Sequence, residues 1–402
     1  MNEVLKKANT EKMVQRNGIR TGRKYNFYKN MYAVLDSDLN SPLSCISVAN
    51  NSLSVDLWTG CSFQCAYCHV QGIEEDIASD GKMRKIPMRR NCFTIDEVLS
   101  SLVQHPFFKK DVTVISIGTS STEPFAVGEV LESTLVLMEK MIEMGYKNPF
   151  WIVTKAGIPD AAIKRLINIS DNISKLIISI CWANNPKEIE PVQNNRFKNI
   201  DKFFGKNVSI NWYLRPITKE WINSITELEN MFNMVSKQYG KYIDCIIPGG
   251  LRWTEGIEYG MVEVRGLEMP EISKENNQKT LDEEEWKYIM LLAKKYFSEI
   301  PVFYHSSCGI SFALKRSNIC LLQLKNKKEC EGSKCTSEQR IRCEIKPNYN
   351  LNVVQNELNK VGYDIDVKKI DFENGTMITE PDMNNLSPAL KQEIYHIMAF
   401  CN

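Results

Sequence analysis

From residue 52 onward the apolar positions fall into two alternating patterns. Short runs rich in Val, Ile and aromatic residues occupy 52–57, 112–117, 150–153, 176–180, 208–213 and 242–247, the signature of strands. Between them, apolar residues recur with helical spacing at 95–104, 129–144, 159–167 and 224–238. The ends of these segments carry matching punctuation: Thr94 as an N-cap, Gly145 just past a helix end, and Pro159 at a helix start. Strands alternating with helices predict βαβ units and an α/β fold with a parallel sheet. Six such units in about 200 residues fit a barrel or partial barrel better than a small doubly wound sheet.

The flanks read differently. Residues 1–50 are polar and mixed, and predict an N-terminal arm leading into the core at 51–265. Beyond 265 the pattern predicts a helix at 281–297, a short strand at 302–304, a cysteine-bearing loop region at 308–343 and a helix at 351–361. A hairpin follows at 363–370 and 376–378 around Asn374-Gly375, then a closing helix at 388–400, which makes 266–402 a smaller C-terminal α+β region.

Composition narrows the chemistry. The 402 residues, 43% hydrophobic and 25% charged, are ample to bury a sizeable core. A formal net charge of +1 favours neither nucleic acid nor a membrane surface in bulk. Met1–Thr10 is polar with no apolar signal-type stretch, and no run approaches the ~18 apolar residues of a membrane span. A cytoplasmic protein without a membrane partner is therefore expected. In a reducing compartment the thirteen cysteines point to metal or redox chemistry rather than disulfides.

The most informative run is Thr59-Gly60-Cys61-Ser62-Phe63-Gln64-Cys65-Ala66-Tyr67-Cys68, a CxxxCxxC spacing straight after the first strand. Three thiolates on one tight loop can each take one iron of a cubane cluster, leaving the fourth iron open to a small molecule. Gly60 permits the sharp exit from the strand, and Tyr67 sets an aromatic surface beside the last ligand. A zinc site would want a fourth ligand, and His69, adjacent to Cys68, is poorly placed to complete a tetrahedron.

Later strand ends carry further candidates. The second closes on Ile117-Gly118-Thr119-Ser120-Ser121-Thr122-Glu123-Pro124, small polar residues with one carboxylate. That composition suits an ammonium group at a strand's C-terminal end, or caps the helix that follows. Thr154-Lys155 ends the third strand, Ser179 lies near the end of the fourth, Glu190-Pro191 precedes Arg196, and Arg215-Pro216 ends the fifth. For Lys155 and Arg196, an ion-paired or solvated surface charge is as good a reading as a functional one.

On these residues the sequence resembles the radical S-adenosylmethionine (SAM) superfamily over about residues 50–265, and within it the subgroup containing spore photoproduct lyase. It departs from the family's GGEP-type turn by keeping Glu-Pro while placing Ser121-Thr122 where the glycine pair would stand. The resemblance implies a partial (β/α)6 TIM-type barrel with a [4Fe–4S] cluster on Cys61, Cys65 and Cys68. It implies SAM bound at the open iron and an electron donor such as flavodoxin or ferredoxin. Reductive cleavage of SAM would yield a 5′-deoxyadenosyl radical that abstracts hydrogen from a substrate. Tyr67, Thr119, Ser121, Glu123 and Thr154 would surround SAM, with Ser179 at its ribose and Arg215 near its carboxylate. Cys181 is the best-placed thiol to return hydrogen to a product radical, ahead of Cys92 and Cys245, with a core cysteine at a strand end as the alternative reading. Tyr213 would be a radical donor or a pocket wall. The substrate stays open among small molecules, nucleotides and peptides.

A second cysteine set follows the barrel. Cys308, Cys320, Cys330, Cys335 and Cys343 fall within 36 residues of polar loop sequence. Cys308, Cys330, Cys335 and Cys343 are the expected ligands of a second iron–sulfur cluster or a zinc ion, with unliganded thiols as the alternative. Cys320 sits in Ile319-Cys320-Leu321-Leu322, where burial explains it. One cubane plus zinc fits a lyase, repair or nucleotide-modifying enzyme. Two cubanes fit a dehydrogenase or peptide-modifying oxidoreductase. A zinc-binding, nucleic-acid-binding protein is the non-enzymatic alternative. The segment 82–90 holds five cations and no acid, and either steers a phosphate-bearing or nucleic-acid substrate or is a solvated loop balanced by Glu74, Glu75, Asp76 and Asp80.

Overall fold

A computed structural model describes residues 13–28, 41–49, 51–72, 88–89, 93–105, 107–119, 122–126, 128–192, 195–222, 224–272, 281–318, 330, 332–344, 350–360, 365–371, 376–382, 385, 394 and 396. Ser121, Cys92, Cys320, the Asn374-Gly375 turn, most of the basic segment and most of the closing helix lie outside these residues.

The strands are β1 (Met13–Asn17), β2 (Lys24–Tyr28), β3 (Ile46–Ala49), β4 (Ser52–Val55), β5 (Trp58–Thr59), β6 (Met88–Arg89), β7 (Ile115–Ile117), β8 (Phe150–Thr154), β9 (Leu176–Cys181), β10 (Val208–Ile217), β11 (Cys245–Gly250), β12 (Asp366–Asp371) and β13 (Thr376–Glu380). The helices that matter here are α1 (Ile95–Gln104), α2 (Gly128–Glu143), α3 (Asp160–Asn172), α4 (Ile225–Tyr239), α5 (Glu283–Tyr296), α6 (Ser306–Ala313), α7 (Ser337–Glu344) and α8 (Leu351–Lys360). A seven-stranded sheet in the order β11-β10-β9-β8-β7-β4-β3 forms the centre. Its six strands from β4 to β11 pair in parallel and in sequence order, and β3 adds antiparallel at one edge.

The strand runs are buried on both faces, which is why they read as near-continuous apolar stretches. One face carries Ile152, Ile178, Ile210 and Ile246 and packs against Leu102, Leu137, Leu166 and Phe232 from α1 to α4. Each such side chain, fully buried, contributes roughly 2 kcal/mol of hydrophobic stabilisation. The other face holds Trp151, Ile177, Cys181, Tyr213, Cys245 and Ile247 in a separate cluster with Phe303 and Ile310 of α6. Toward β4 this second face turns polar: Ser52 donates to Ser116 Oγ at 2.9 Å, and Ser54 and Thr119 hydroxyls lie 2.7 Å apart.

Local signals set the helix starts. Thr94 and Glu97 form a reciprocal capping box at α1, as Asp282 and Glu285 do at α5. Gly309 lets α6 approach β11, since a Cβ there would fall 2.4 Å from Ile247 Cδ1.

The stretch read as an N-terminal arm contributes more structure than its polarity suggested. β3 belongs to the central sheet, and β1 and β2 form a hairpin held by a distant carboxylate. Glu263 accepts from the Arg20 backbone N–H at 2.6 Å, the Tyr25 hydroxyl at 3.2 Å and the Thr21 hydroxyl. In the C-terminal region β12 and β13 pair antiparallel, α8 packs on β12, and His396 Nδ1 sits 2.7 Å from the Ala49 carbonyl oxygen. Among the described residues no helix is long and apolar enough to cross a membrane.

Candidate functional site

One cavity of about 320 Å³ gathers most of the candidate residues. Cys61, Cys65, Cys68, Tyr67, Thr119, Glu123, Thr154, Cys181, Tyr213 and Arg215 all line it. They arrive from the C-terminal ends of successive parallel strands, and Gly250 at the end of β11 with Leu251 after it closes the far side.

The three-cysteine loop leaves β5 through Gly60, whose φ of 76° lies in the left-handed region. Gln64 also adopts a positive φ of 52°, held there by its side-chain amide, which donates to the Cys61 carbonyl at 2.6 Å. Three other segments pin the loop. Thr122 Oγ1 donates to the Gly60 carbonyl at 2.5 Å, Ala66 N–H to Ile189 O at 2.8 Å, and Arg265 to Gln64 O at 3.4 Å. Burial, reinforced by the Glu123 charge, pushes the Cys61 thiol up to about 12. Burial raises Cys65 to about 11, with Lys155 working against it. Without metal the loop therefore holds thiols, and metal binding releases their protons.

Arg196 is buried and Lys155 half-buried, and both are ion-paired with Glu190. The Lys155 ammonium lies 3.2 Å from Cys65 Sγ, 2.7 Å from the Tyr67 hydroxyl and 3.7 Å from Glu190. Burial alone lowers its pKa, but its acidic neighbours Cys65, Tyr67 and Glu190 raise it on balance, and with the thiol and phenol protonated the ionised Glu190 is the counter-charge that keeps it protonated. Glu190 is buried between two cations, with Arg196 at 3.2 Å. Desolvation opposes its ionisation, and Lys155 and Arg196 overcome it, so its carboxyl titrates below the usual range. The sequence spacing of Lys155, Glu190 and Arg196 was visible, but their mutual contact depends on β8 and the segment after β9 meeting over the loop.

Glu123 accepts from the Lys155 backbone N–H at 2.7 Å, Phe125 N–H at 3.3 Å and the Thr154 hydroxyl. Desolvation still dominates and raises its pKa. Gly118 makes this turn feasible: its φ is +75°, and a Cβ would fall 2.6 Å from both Pro124 Cδ and Val153 O. Ser179 stands apart from the cavity lining. Its buried hydroxyl accepts from Trp151 Nε1 at 2.9 Å and faces Asn211 Nδ2 at 3.4 Å, bracing the sheet beneath the cavity. Arg215 stacks over Tyr213, its guanidinium carbon 3.7 Å from the ring centre. Burial raises the Tyr213 pKa well beyond neutrality, so the phenol keeps its hydrogen.

Sequence reasoning missed Thr122, Trp221, Arg252 and Ser306. Thr122, Arg252 and Ser306 line the cavity, and the Trp221 ring lies 5.6 Å from that of Tyr67. The predicted strand at 302–304 reduces to isolated bridges of Val302 to Ile246 and Lys334. Those bridges bring the second cysteine set toward the sheet edge. Burial raises the Cys308 thiol strongly, and the charges of Cys330, Cys343 and Cys335 add to the effect. Asn318 joins two of them, donating from Nδ2 to Cys308 Sγ at 2.9 Å and from its backbone to Cys343 Sγ at 3.4 Å.

Among the described residues no three His, Cys, Asp or Glu side chains converge tightly enough to grip a single ion. A cubane asks for a wider triangle than a mononuclear ion, because each thiolate takes a separate iron. No protein-family model matches the chain, and neither does any curated protein.

Proposed function

We propose that this protein is a radical SAM enzyme, with a [4Fe–4S] cluster on Cys61, Cys65 and Cys68 and SAM in the adjoining cavity. The observation that carries the proposal is the convergence of the three-cysteine loop with Glu123, Thr154 and Arg215 on one cavity at the strand ends. Strand ends of this kind are where parallel α/β folds build chemistry. A partial (β/α)6 barrel is supported by the same cavity. Six strands laid flat would span about 24 Å, too far for residues after the first and the last to line one small space unless the sheet curls.

The donor set fits the cofactors. Three thiols on one loop, Cys61 and Cys65 buried and Cys68 partly exposed, match three irons, and the Glu123 carboxylate with the Thr119 and Thr154 hydroxyls matches an amino-acid ammonium. When bound, cluster and SAM together supply one-electron cleavage of a carbon–sulfur bond and a 5′-deoxyadenosyl radical that takes hydrogen from substrate. The chain's own residues do the rest. Lys155 fixes the positions of Cys65 and Tyr67, while Tyr67 and Trp221 screen the loop from water. Cys181 Sγ and the Tyr213 phenol both reach the cavity with hydrogen to give, which keeps both as candidate donors to a product radical. Flavodoxin or ferredoxin would be the electron-donating partner.

The second cysteine set supports metal binding by Cys308, Cys330, Cys335 and Cys343, as an auxiliary iron–sulfur cluster or zinc. A mononuclear ion would need those side chains to draw inward. Cys308 and Cys335 pack on the same apolar cluster as Cys181 and Tyr213, an adjacency that favours an auxiliary cluster and an oxidoreductase over a simple lyase.

The test is anaerobic purification with iron, sulfide and zinc counts, then reduction by dithionite with SAM and an assay for 5′-deoxyadenosine. Brown protein that makes deoxyadenosine, and loses this with Cys65→Ala, is the expected result. Colourless zinc protein that never cleaves SAM after cluster reconstitution would overturn the proposal in favour of a zinc-dependent nucleic-acid-binding role.

A further inference from the structure

The cavity has a second chemical character at the end formed by β10, β11 and α6. Arg215 and Arg252 both line it, and among the described residues neither shows an ion pair or a hydrogen bond. Arg215 makes only its stacking contact with Tyr213, and Arg252 Nε is buried without a partner. Both side chains are half-buried, and a guanidinium nitrogen held from water without an acceptor is costly, so the arrangement suits a ligand that brings negative charge.

Three further donors stand at the same end. The Tyr213 hydroxyl is buried and meets no partner in good hydrogen-bond geometry, with the Ser306 and Ser179 hydroxyls as its neighbours. Ser306, the first residue of α6, also lines the cavity, and the His305 side chain leaves that helix start uncapped. An uncapped N-terminus offers free backbone N–H groups and the positive end of the helix dipole. The cations on the cysteine side are accounted for differently, since Lys155 is neutralised by Glu190. The unmatched positive charge lies with the two arginines.

The geometry points to an anion subsite in which Arg215, Arg252, Ser306 and Tyr213 bind a phosphomonoester group of the substrate. Two guanidinium groups match a dianion rather than a monoanionic carboxylate or phosphodiester. Hydroxyls and helix N–H groups around them suit the several oxygens of a tetrahedral phosphate. The inference rests on the cavity being the substrate site of the proposed enzyme. It assigns Arg215 to the substrate rather than to the carboxylate of SAM.

Isothermal titration of the full-length, cluster-containing protein with inorganic phosphate, with and without SAM, tests it. The expected result is phosphate binding unaffected by saturating SAM, and weaker by about tenfold or more in Arg252→Gln with an unchanged melting temperature. Arg252→Lys, which keeps the charge and loses the planar fork, should fall between the two. Equal phosphate affinity in wild type, Arg252→Gln and Arg215→Gln would overturn the subsite, as would acetate binding more tightly than phosphate. Competition between SAM and phosphate would also overturn it, while leaving the radical SAM reading intact. Phosphate binding in a protein that never binds SAM would support the subsite and remove that reading.

Discussion

The ammonium of Lys155 sits 3.2 Å from the sulfur of Cys65, so a half-buried cation is in direct contact with a proposed cluster ligand. Lys155→Met removes that charge and leaves Glu190 with less of its counter-charge. The expected cost is about 2 kcal/mol of stability, below the cost of breaking a fully buried pair because the lysine keeps some solvent access. Urea denaturation measures this. Iron retention after reconstitution and gel filtration should fall in parallel. Unchanged stability together with full iron retention would remove Lys155 from the support of the loop.

Gly118→Ala should be among the most damaging single-methyl additions beside the central sheet. The position needs a left-handed backbone, and the added Cβ collides with Pro124 and the Val153 carbonyl. A loss of roughly 2 kcal/mol or more is expected from strain and overpacking combined. Because Pro124 follows Glu123, SAM affinity measured on the surviving folded protein should weaken as well. A variant with wild-type melting temperature and SAM affinity would contradict the packing argument.

The pH dependence of stability carries a histidine signature. Burial pulls both His105 and His396 down to about 4, so each is neutral in the fold. The unfolded chain protonates them near 6.5, so it gains protons first as the solution is acidified. Their contribution is intact above about pH 6.5 and is lost as pH falls toward 4, on the order of 3 kcal/mol per histidine at the acid end. Melting temperature followed from pH 7 to 4.5 should decline in wild type and decline less steeply in His105→Gln. A flat wild-type profile across that range would refute the assignment.

Cys308→Ser should deplete metal at the C-terminal set and spare the iron of the first loop, because the two sets occupy different elements. Metal counts per chain, with a chelator titration of melting temperature, separate the two sites. Unaltered metal content and thermal stability in the variant would mean that Cys308 carries no metal.

How much of this was legible in the sequence varied with the physics involved. The parallel strands were readable because burial on both faces makes Leu176–Cys181 and Cys245–Gly250 compact apolar runs. The loop of Cys61, Cys65 and Cys68 was readable because its ligands are local in sequence. β3 hid in polar company, since it is an edge strand with alternating burial and its neighbours carry no helical or strand period. The partnership of Lys155, Glu190 and Arg196 depends on tertiary approach, which no spacing rule encodes. Ser179 shows the opposite case: its place at a strand end was right, but Trp151 and Asn211 engage its hydroxyl below the cavity.

The sequential strand order has a consequence for the making of the protein. The cysteine loop follows β4, whereas Leu251 and Arg252, which complete the cavity wall, are translated about 190 residues later. At ribosomal speeds that interval is roughly 10–40 s, during which the loop has emerged but its enclosure does not yet exist. Its thiols are then most open to oxygen and to adventitious metals. The nascent chain, rather than the finished fold, is the stage at which the loop most needs protection.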